Sequence, residues 1–215
     1  MKIGILGTGV VGKTLGTKLV ALGHDVRMGS RSAGGEKATA WVKEVGGKSS
    51  EGTFADAAAH GELVFNCTSG MASLEALKAA GARNLQNKIL VDVANPLDFS
   101  KGMPPALSVC NTDSLAEQIQ RAFPGARVVK SLNTVTTAVM VDPSLIPGAH
   151  AMFVSGNDAA AKAQVVALLR SGFGWNEIVD LGDISGARAQ EMILPLWLRL
   201  FMTLNTPNVN IHVAH

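Results

Sequence analysis

Short apolar runs alternate along most of the chain with stretches in which apolar positions recur every three or four residues. The first kind of run predicts buried strands and the second predicts helices with one apolar face. Strands are expected at Ile3–Leu6, Asp25–Met28, Leu63–Cys67, Ile89–Val93 and Arg127–Lys130. Between them, Val11, Leu15, Leu19 and Leu22 keep helical spacing until Gly23, and Ala38, Trp41, Val42 and Val45 do so until Gly46-Gly47; glycine just past a periodic run is a helix stop. Further helices are expected over Ser73–Ala82 and Leu115–Phe123. Strands alternating with helices make βαβ units, which force a parallel sheet covered on both faces. The fold class is therefore α/β, a doubly wound parallel sheet of the dinucleotide-binding (Rossmann) kind, with a small C-terminal α/β extension.

After about residue 131 the texture changes. Pro143, Pro147 and Gly148 predict a loop, followed by a strand Ala151–Ser155, a helix carrying Ala161, Val165, Leu168 and Leu169, and a strand Glu177–Leu181. From about Ile184 a last helical stretch is apolar nearly all round, with Met192, Leu196, Leu200 and Leu204 in register beside Ile193, Trp197 and Phe201. Such a helix should be buried in a core or against a second subunit, so a homodimer or larger assembly is expected. The division anticipated is a nucleotide-binding domain over 1–135 and a small region over 136–215 that completes the sheet. No internal repeat interrupts this pattern.

Gly7-Thr8-Gly9-Val10-Val11-Gly12 sits between the first strand and the first helix. A bare G-x-G-x-x-G is weak evidence, but this context is the one the motif requires. The first glycine permits a sharp turn, the second lets a pyrophosphate approach the backbone, and the third lets helix and strand pack closely. The free N–H groups and dipole of the helix start then favour the phosphates. An NAD site would offer Asp or Glu at the end of the second strand. Here Gly29-Ser30-Arg31 stands there with Lys37 close behind, and Glu36 is too far along to take that role. A hydroxyl and a guanidinium donate charge-assisted hydrogen bonds to a 2′-phosphate, which a carboxylate would repel. NADP(H) is the expected dinucleotide. By the rule that ligands gather at the carboxyl ends of parallel strands, Thr68, Ser69 and Asn95 should also face it.

Composition narrows the chemistry. The net charge is +2 with no Lys/Arg cluster, so nucleic acid is not an expected partner. The longest apolar run, Met192 to Met202, is short of a membrane span and is broken by Pro195 and Arg199. No export signal is recognised at the N-terminus, so a cytoplasmic location is expected. Cys67 and Cys110 have no metal-site spacing and are read as reduced core thiols; no metal is expected. There is no tyrosine, which removes a Tyr-x-x-x-Lys proton donor. Of His24, His60, His150, His212 and His215, only His150, in a loop before a strand, stays open as an acid or base. No catalytic acid can be named. Carbonyl reduction usually needs one, whereas hydride exchange with a flavin-like ring needs mainly two rings stacked in a dry pocket.

The glycine run, together with Gly29-Ser30-Arg31, resembles the NADPH-dependent oxidoreductases of the deazaflavin coenzyme F420. Val128-Val129-Lys130-Ser131-Leu132-Asn133-Thr134 is similar to a segment of bacterial relatives and of the cytosolic domain of six-transmembrane ferric reductases, and Gly156-Asn157-Asp158, Asp180-Leu181-Gly182 and Leu194-Pro195-Leu196-Trp197 resemble those bacterial relatives. The resemblance spans nearly the whole chain. It implies that Thr8, Gly9, Val10 and Val11 border the pyrophosphate and that Ser30, Arg31 and Lys37 hold the 2′-phosphate. It also implies that Thr68, Ser69, Asn133 and Thr134 lie near the nicotinamide. The acceptor it implies is a deazaflavin or flavin, a small-molecule redox partner. Reduction of a small imine or carbonyl, and NADPH sensing without turnover, remain alternatives.

Overall fold

The computed structural model describes residues 1–214. In chain order the elements are β1 (Lys2–Leu6), α1 (Val10–Ala21), β2 (Asp25–Ser30), α2 (Glu36–Val45), β3 (Ser49–Thr53), α3 (Phe54–His60), β4 (Leu63–Asn66), α4 (Ser73–Ala80), α5 (Ala82–Leu85) and β5 (Ile89–Asp92). A small hairpin, β6 (Leu97–Asp98) and β7 (Ala106–Leu107), precedes α6 (Leu115–Ala122), β8 (Arg127–Ser131) and α7 (Thr137–Val141). The chain then forms β9 (Ala151–Ser155), α8 (Ala159–Leu168), β10 (Glu177–Asp180), α9 (Ala187–Met192) and α10 (Leu194–Leu204).

One eight-stranded sheet has the order β10-β9-β8-β5-β4-β1-β2-β3. Six of its strands run parallel, from β3 across to β8. The strand period of two sends neighbouring side chains to opposite faces. Ile3, Ile5, Phe65, Val91 and Val129 join one core layer with Leu15, Leu19 and Trp41 of α1 and α2. Leu6, Val64, Leu90 and Val128 join the other with Ala57, Leu77 and Ile119 of α3, α4 and α6. The first layer also takes in Val139, Met152, Val165 and Trp175, so it runs without a break past residue 135.

The structure bears out the doubly wound, mostly parallel α/β fold and adds three features to it. The sheet is not parallel throughout: β9 pairs with β8 antiparallel, Lys130 opposite Ser155, and β10 then follows β9 in parallel. A parallel partner would need a crossover back to the far end of the sheet. The segment after β8 instead stays near the carboxyl ends, where Thr136, Thr137 and Met140 line a cavity. The edge strand β3 and the helix α3 were not anticipated. Ser49-Ser50-Glu51-Gly52-Thr53 has no large apolar residue to mark a strand, and α3 is a seven-residue helix started by a Thr53–Asp56 capping box. Finally, of the two settings expected for the last helix, burial in the chain's own core is not the one α10 takes. Only Leu194 is buried, while Leu196, Met202 and Leu204 are 53%, 42% and 57% exposed.

Candidate active site

Two adjoining cavities open along the carboxyl ends of β1, β2, β4, β5 and β8. The larger, about 770 Å³, is walled by Gly7, Thr8 and Gly9, by Ser30, Arg31 and Lys37, and by Thr68 and Ser69. The smaller, about 490 Å³, is walled by Val10, Val11, Thr68, Ser69, Asn95 and Asn133 together with residues of α7 and α10. Cys67, Thr68 and Ser69 belong to both, so the end of β4 is the saddle between them. The structure thus gathers the sequence-predicted residues along one continuous trough. Gly12 and Thr134 are exceptions. Gly12 is buried under the turn, and Thr134 is 2% exposed with its hydroxyl lacking a hydrogen-bond partner; neither lines a cavity.

The glycine turn has the geometry of a cradle. Gly7 has φ +116, and a Cβ there would stand 2.7 Å from the Cys67 carbonyl oxygen. A Cβ on Gly12 would meet the Gly7 carbonyl oxygen at 2.1 Å, so α1 can approach β1 only without one. A Cβ on Gly9 would meet nothing within 4 Å, because that position faces the open cavity. Gly9 caps α1 with no side-chain hydrogen bond, and the first turn carries no acid. The orphan N–H groups of a twelve-residue helix are therefore presented to the cavity.

At the other end of the larger cavity, Arg31 and Lys37 stand exposed beside Ser30 and Ser32. The loop between β2 and α2 is tied down by Ser30 Oγ, which donates to the Ser32 carbonyl at 2.6 Å. Gly34 N–H donates to Glu51 of β3 at 2.9 Å. Glu36, excluded from this site by sequence spacing, lines the same cavity because α2 begins at that residue.

The smaller cavity is chiefly apolar. Leu97 and Phe99 come from the β6 hairpin, Val135 and Met140 from the α7 side, and Leu194, Trp197 and Leu198 from α10. Trp197 is held on both sides: its Nε1 donates to the Val209 carbonyl at 3.0 Å, and its ring stacks on Phe201 at 5.8 Å and 6°. Among the described residues lining this cavity only Cys67 is titratable, and burial pushes its thiol well above the usual range, with Asp92 adding to the effect. The Thr136 hydroxyl on its wall lacks a hydrogen-bond partner. The backbone turns into this wall at Leu132, buried with φ 65, a conformation a branched side chain adopts only when its surroundings impose it.

Beneath the cavity floor lies a charged cluster that sequence reading did not find. Lys130, fully buried, reaches Asp92 at 2.8 Å and Glu191 at 2.9 Å and also donates to the Ala94 carbonyl. Burial alone would lower the Lys130 ammonium's pKa, but the two carboxylates outweigh it and hold the group protonated. Burial raises the Glu191 carboxyl against the pull of Lys130. The available signal was a charge inside each of two apolar central strands, Asp92 after Val91 and Lys130 after Val129; buried charges of this kind are paired. Their partner Glu191, far away in sequence, carried no such signal.

The histidines lie elsewhere. His150, the one left open, contacts the Pro143 carbonyl through Nε2 at 3.0 Å and the Asn210 amide through Nδ1 at 2.9 Å, and it lines neither cavity. His24 and His60 are also outside both, and His215 falls outside the described residues. Cys67 is buried as expected, but Cys110 is exposed, because it sits in the irregular segment before α6. Both are free thiols. Among the described residues no cluster has the make-up of a metal site, and no helix is long and apolar enough to cross a membrane.

Residues 2–96 match the family described as NADP oxidoreductase, coenzyme F420-dependent. A solved structure of a proposed F420-dependent NADP-reductase from Arthrobacter sp. FB24 is 52% identical over the whole of both chains and superposes with a TM-score of 0.95. The F420-dependent NADP reductase of Methanothermobacter marburgensis is 28% identical over 100% of this chain and 99% of its own. The metalloreductase STEAP3 of Rattus norvegicus is 30% identical over 91% of this chain, which spans only 38% of that protein. The protein thus belongs to the family of coenzyme F420-dependent NADP oxidoreductases.

Proposed function

We propose that this NADP-dependent oxidoreductase exchanges a hydride between NADP(H), laid along the trough, and a flat conjugated acceptor of the deazaflavin or flavin class in the smaller cavity. The observation that carries the acceptor class is the character of that cavity. It is apolar, it is flanked by Phe99 and the immobilised Trp197, and its described lining holds no group able to trade a proton near neutral pH. A lone carbonyl would leave an alkoxide needing a positioned acid. A conjugated ring spreads the charge and can take its proton from water, so orientation and dryness suffice.

The site residues would divide the work as follows. The α1 N–H groups and the open space at Gly9 would receive the diphosphate. Arg31, Lys37 and Ser30 would hold the 2′-phosphate, with the loop steadied by Glu51. Thr68, Asn95 and Asn133 would border the nicotinamide. Bound there, the nicotinamide supplies or accepts the hydride. The chain's own part is to bind, to orient the two rings and to exclude water.

The exposed side of α10 presents Leu196, Met202 and Leu204 together as apolar surface, and exposed apolar patches mark interaction sites. We assign it to a homodimer contact, checked by light scattering at micromolar concentration. A cytoplasmic location fits a small-molecule redox partner.

Rapid mixing of the protein with NADPH and F420, FMN or FAD, followed at 340 nm, tests the proposal. Oxidation of NADPH that requires one of these rings supports it. Absence of turnover with all of them, or NADPH loss only with an imine or ketone, removes the acceptor assignment.

A further inference from the structure

The buried charges under the cavity floor have a use beyond stability. An ion cluster in a protein core is often no more stabilising than apolar residues of the same shape. Lys130 is also fully occupied: an ammonium has three N–H donors, and they go to Asp92 Oδ2, Glu191 Oε1 and the carbonyl of Ala94. Ala94 lines the smaller cavity. Asp92 Oδ1 accepts from the Ala94 N–H at 3.4 Å, so both polar groups of that residue's backbone are held by the cluster. The same Asp92 oxygen accepts from Asn66 Nδ2 at 2.8 Å, and Asn66 Oδ1 accepts from the Thr68 hydroxyl at 2.7 Å. Next to Ala94, Asn95 and Asn133 join their side chains at 2.9 Å, and Asn133 Nδ2 also donates to the Gln190 carbonyl at 2.8 Å.

Glu191 faces two ways. One oxygen takes Lys130, and the pair accepts the Leu115 and Ala116 N–H groups at the start of α6, at 2.8 and 3.2 Å. Three residues on, the chain enters α10 with Leu194 and Trp197 on the acceptor wall. Gln190 is plugged in beside it, accepting from Ser155 Oγ at 2.6 Å and donating to the Phe153 carbonyl at 3.2 Å. No member of the ion cluster itself lines a cavity.

We propose that Lys130, clamped between Asp92 and Glu191, is the positioning residue of the nicotinamide half of the site, holding the loops that carry Thr68, Ala94 and Asn133 in register with the helix that carries Leu194 and Trp197. The proposal rests on the NADP(H) assignment above. It places the register of donor ring and acceptor wall in one ammonium that touches neither.

The test separates the two halves of the dinucleotide with 2′,5′-ADP, which fills only the adenosine end, and NADPH, which fills both. Glu191→Gln keeps the volume but loses the charge facing Lys130. It should raise the Kd for NADPH about tenfold while that for 2′,5′-ADP stays within about twofold, because only the nicotinamide half depends on the loops the cluster holds. Leu85→Ala, a core truncation remote from the trough, should lower Tm without splitting the two affinities. Hydrogen exchange on the unmodified chain gives a second measurement that needs no variant to fold. NADPH, but not 2′,5′-ADP, should slow exchange at the Leu115 and Ala116 amides that Glu191 holds. Equal changes in both affinities, or no added protection at those amides with NADPH, overturns the proposal. A wild-type chain that binds neither nucleotide removes the NADP(H) assignment and the proposal with it.

Discussion

Gly9→Ala should weaken nucleotide binding while leaving the fold as stable as before. Gly9 has φ −75 and ψ −177, which alanine adopts freely, and the new Cβ would meet no protein atom within 4 Å. Two small effects on stability oppose each other. Alanine restricts the unfolded chain, worth about 0.4–1 kcal/mol, but it is a poorer helix cap than glycine by a similar amount, up to about 1 kcal/mol. The sum is close to zero, and Tm should move by less than about 3 °C in a chain of this size. The methyl group does, however, project where the diphosphate must approach. Overpacking of this kind costs about 1–3 kcal/mol, which is a roughly 5- to 150-fold rise in Kd. Gly12→Ala is the counterpart. Its Cβ would stand 2.1 Å from the Gly7 carbonyl oxygen, a backbone atom that cannot swing aside, so α1 and β1 must separate by about 1 Å and Tm should fall by about 5 °C or more. Calorimetric titration with NADPH and thermal unfolding of both variants make the comparison. A Gly9→Ala protein that binds NADPH as the parent does would refute the placement of the diphosphate. So would one whose lost affinity is matched by lost stability.

Further outcomes are expected. Arg31→Ala should raise the Kd for NADPH by roughly tenfold or more and leave NADH unchanged, if the guanidinium serves the 2′-phosphate as proposed; an unaltered preference would sever Arg31 from that phosphate. The Asp113 carboxyl is pulled down to about 2, first by its hydrogen bonds from Arg121. A lowered folded pKa stabilises above the ordinary value of 3.8 and is lost as pH falls towards about 2. Asp113→Asn should therefore flatten the acid limb of Tm against pH between about 4 and 2, leaving part of it to the other lowered carboxyls. With a thiol reagent near neutral pH the native protein should label once, at exposed Cys110, and twice after unfolding, since Cys67 is buried with its thiol pushed up. Two fast thiols in the native state would contradict that burial.

Much of the nucleotide end of the trough was written locally. The turn from Gly7 to Gly12 and the triplet Gly29-Ser30-Arg31 lie within a few residues of the strand ends that aim them, so strand period and glycine spacing were enough to place them. The polar edge strand β3 left no apolar trace, and the reversal at β9 depends on where a long connection packs, which no local period records. Short-range residue type thus settled the alternation of strands and helices, the glycine turn between β1 and α1 and the basic segment at the end of β2. Tertiary structure alone decided the rest: that Glu191 meets Lys130 across 61 positions (191 minus 130), and that Phe99 and Trp197 border one cavity. It also set Glu36 on the wall of the cavity that Arg31 lines and left half of α10 uncovered. The reason is physical. Backbone periodicity and turn geometry act between neighbours, whereas a buried charge or an apolar wall takes its partner from whichever element the packed layers bring alongside.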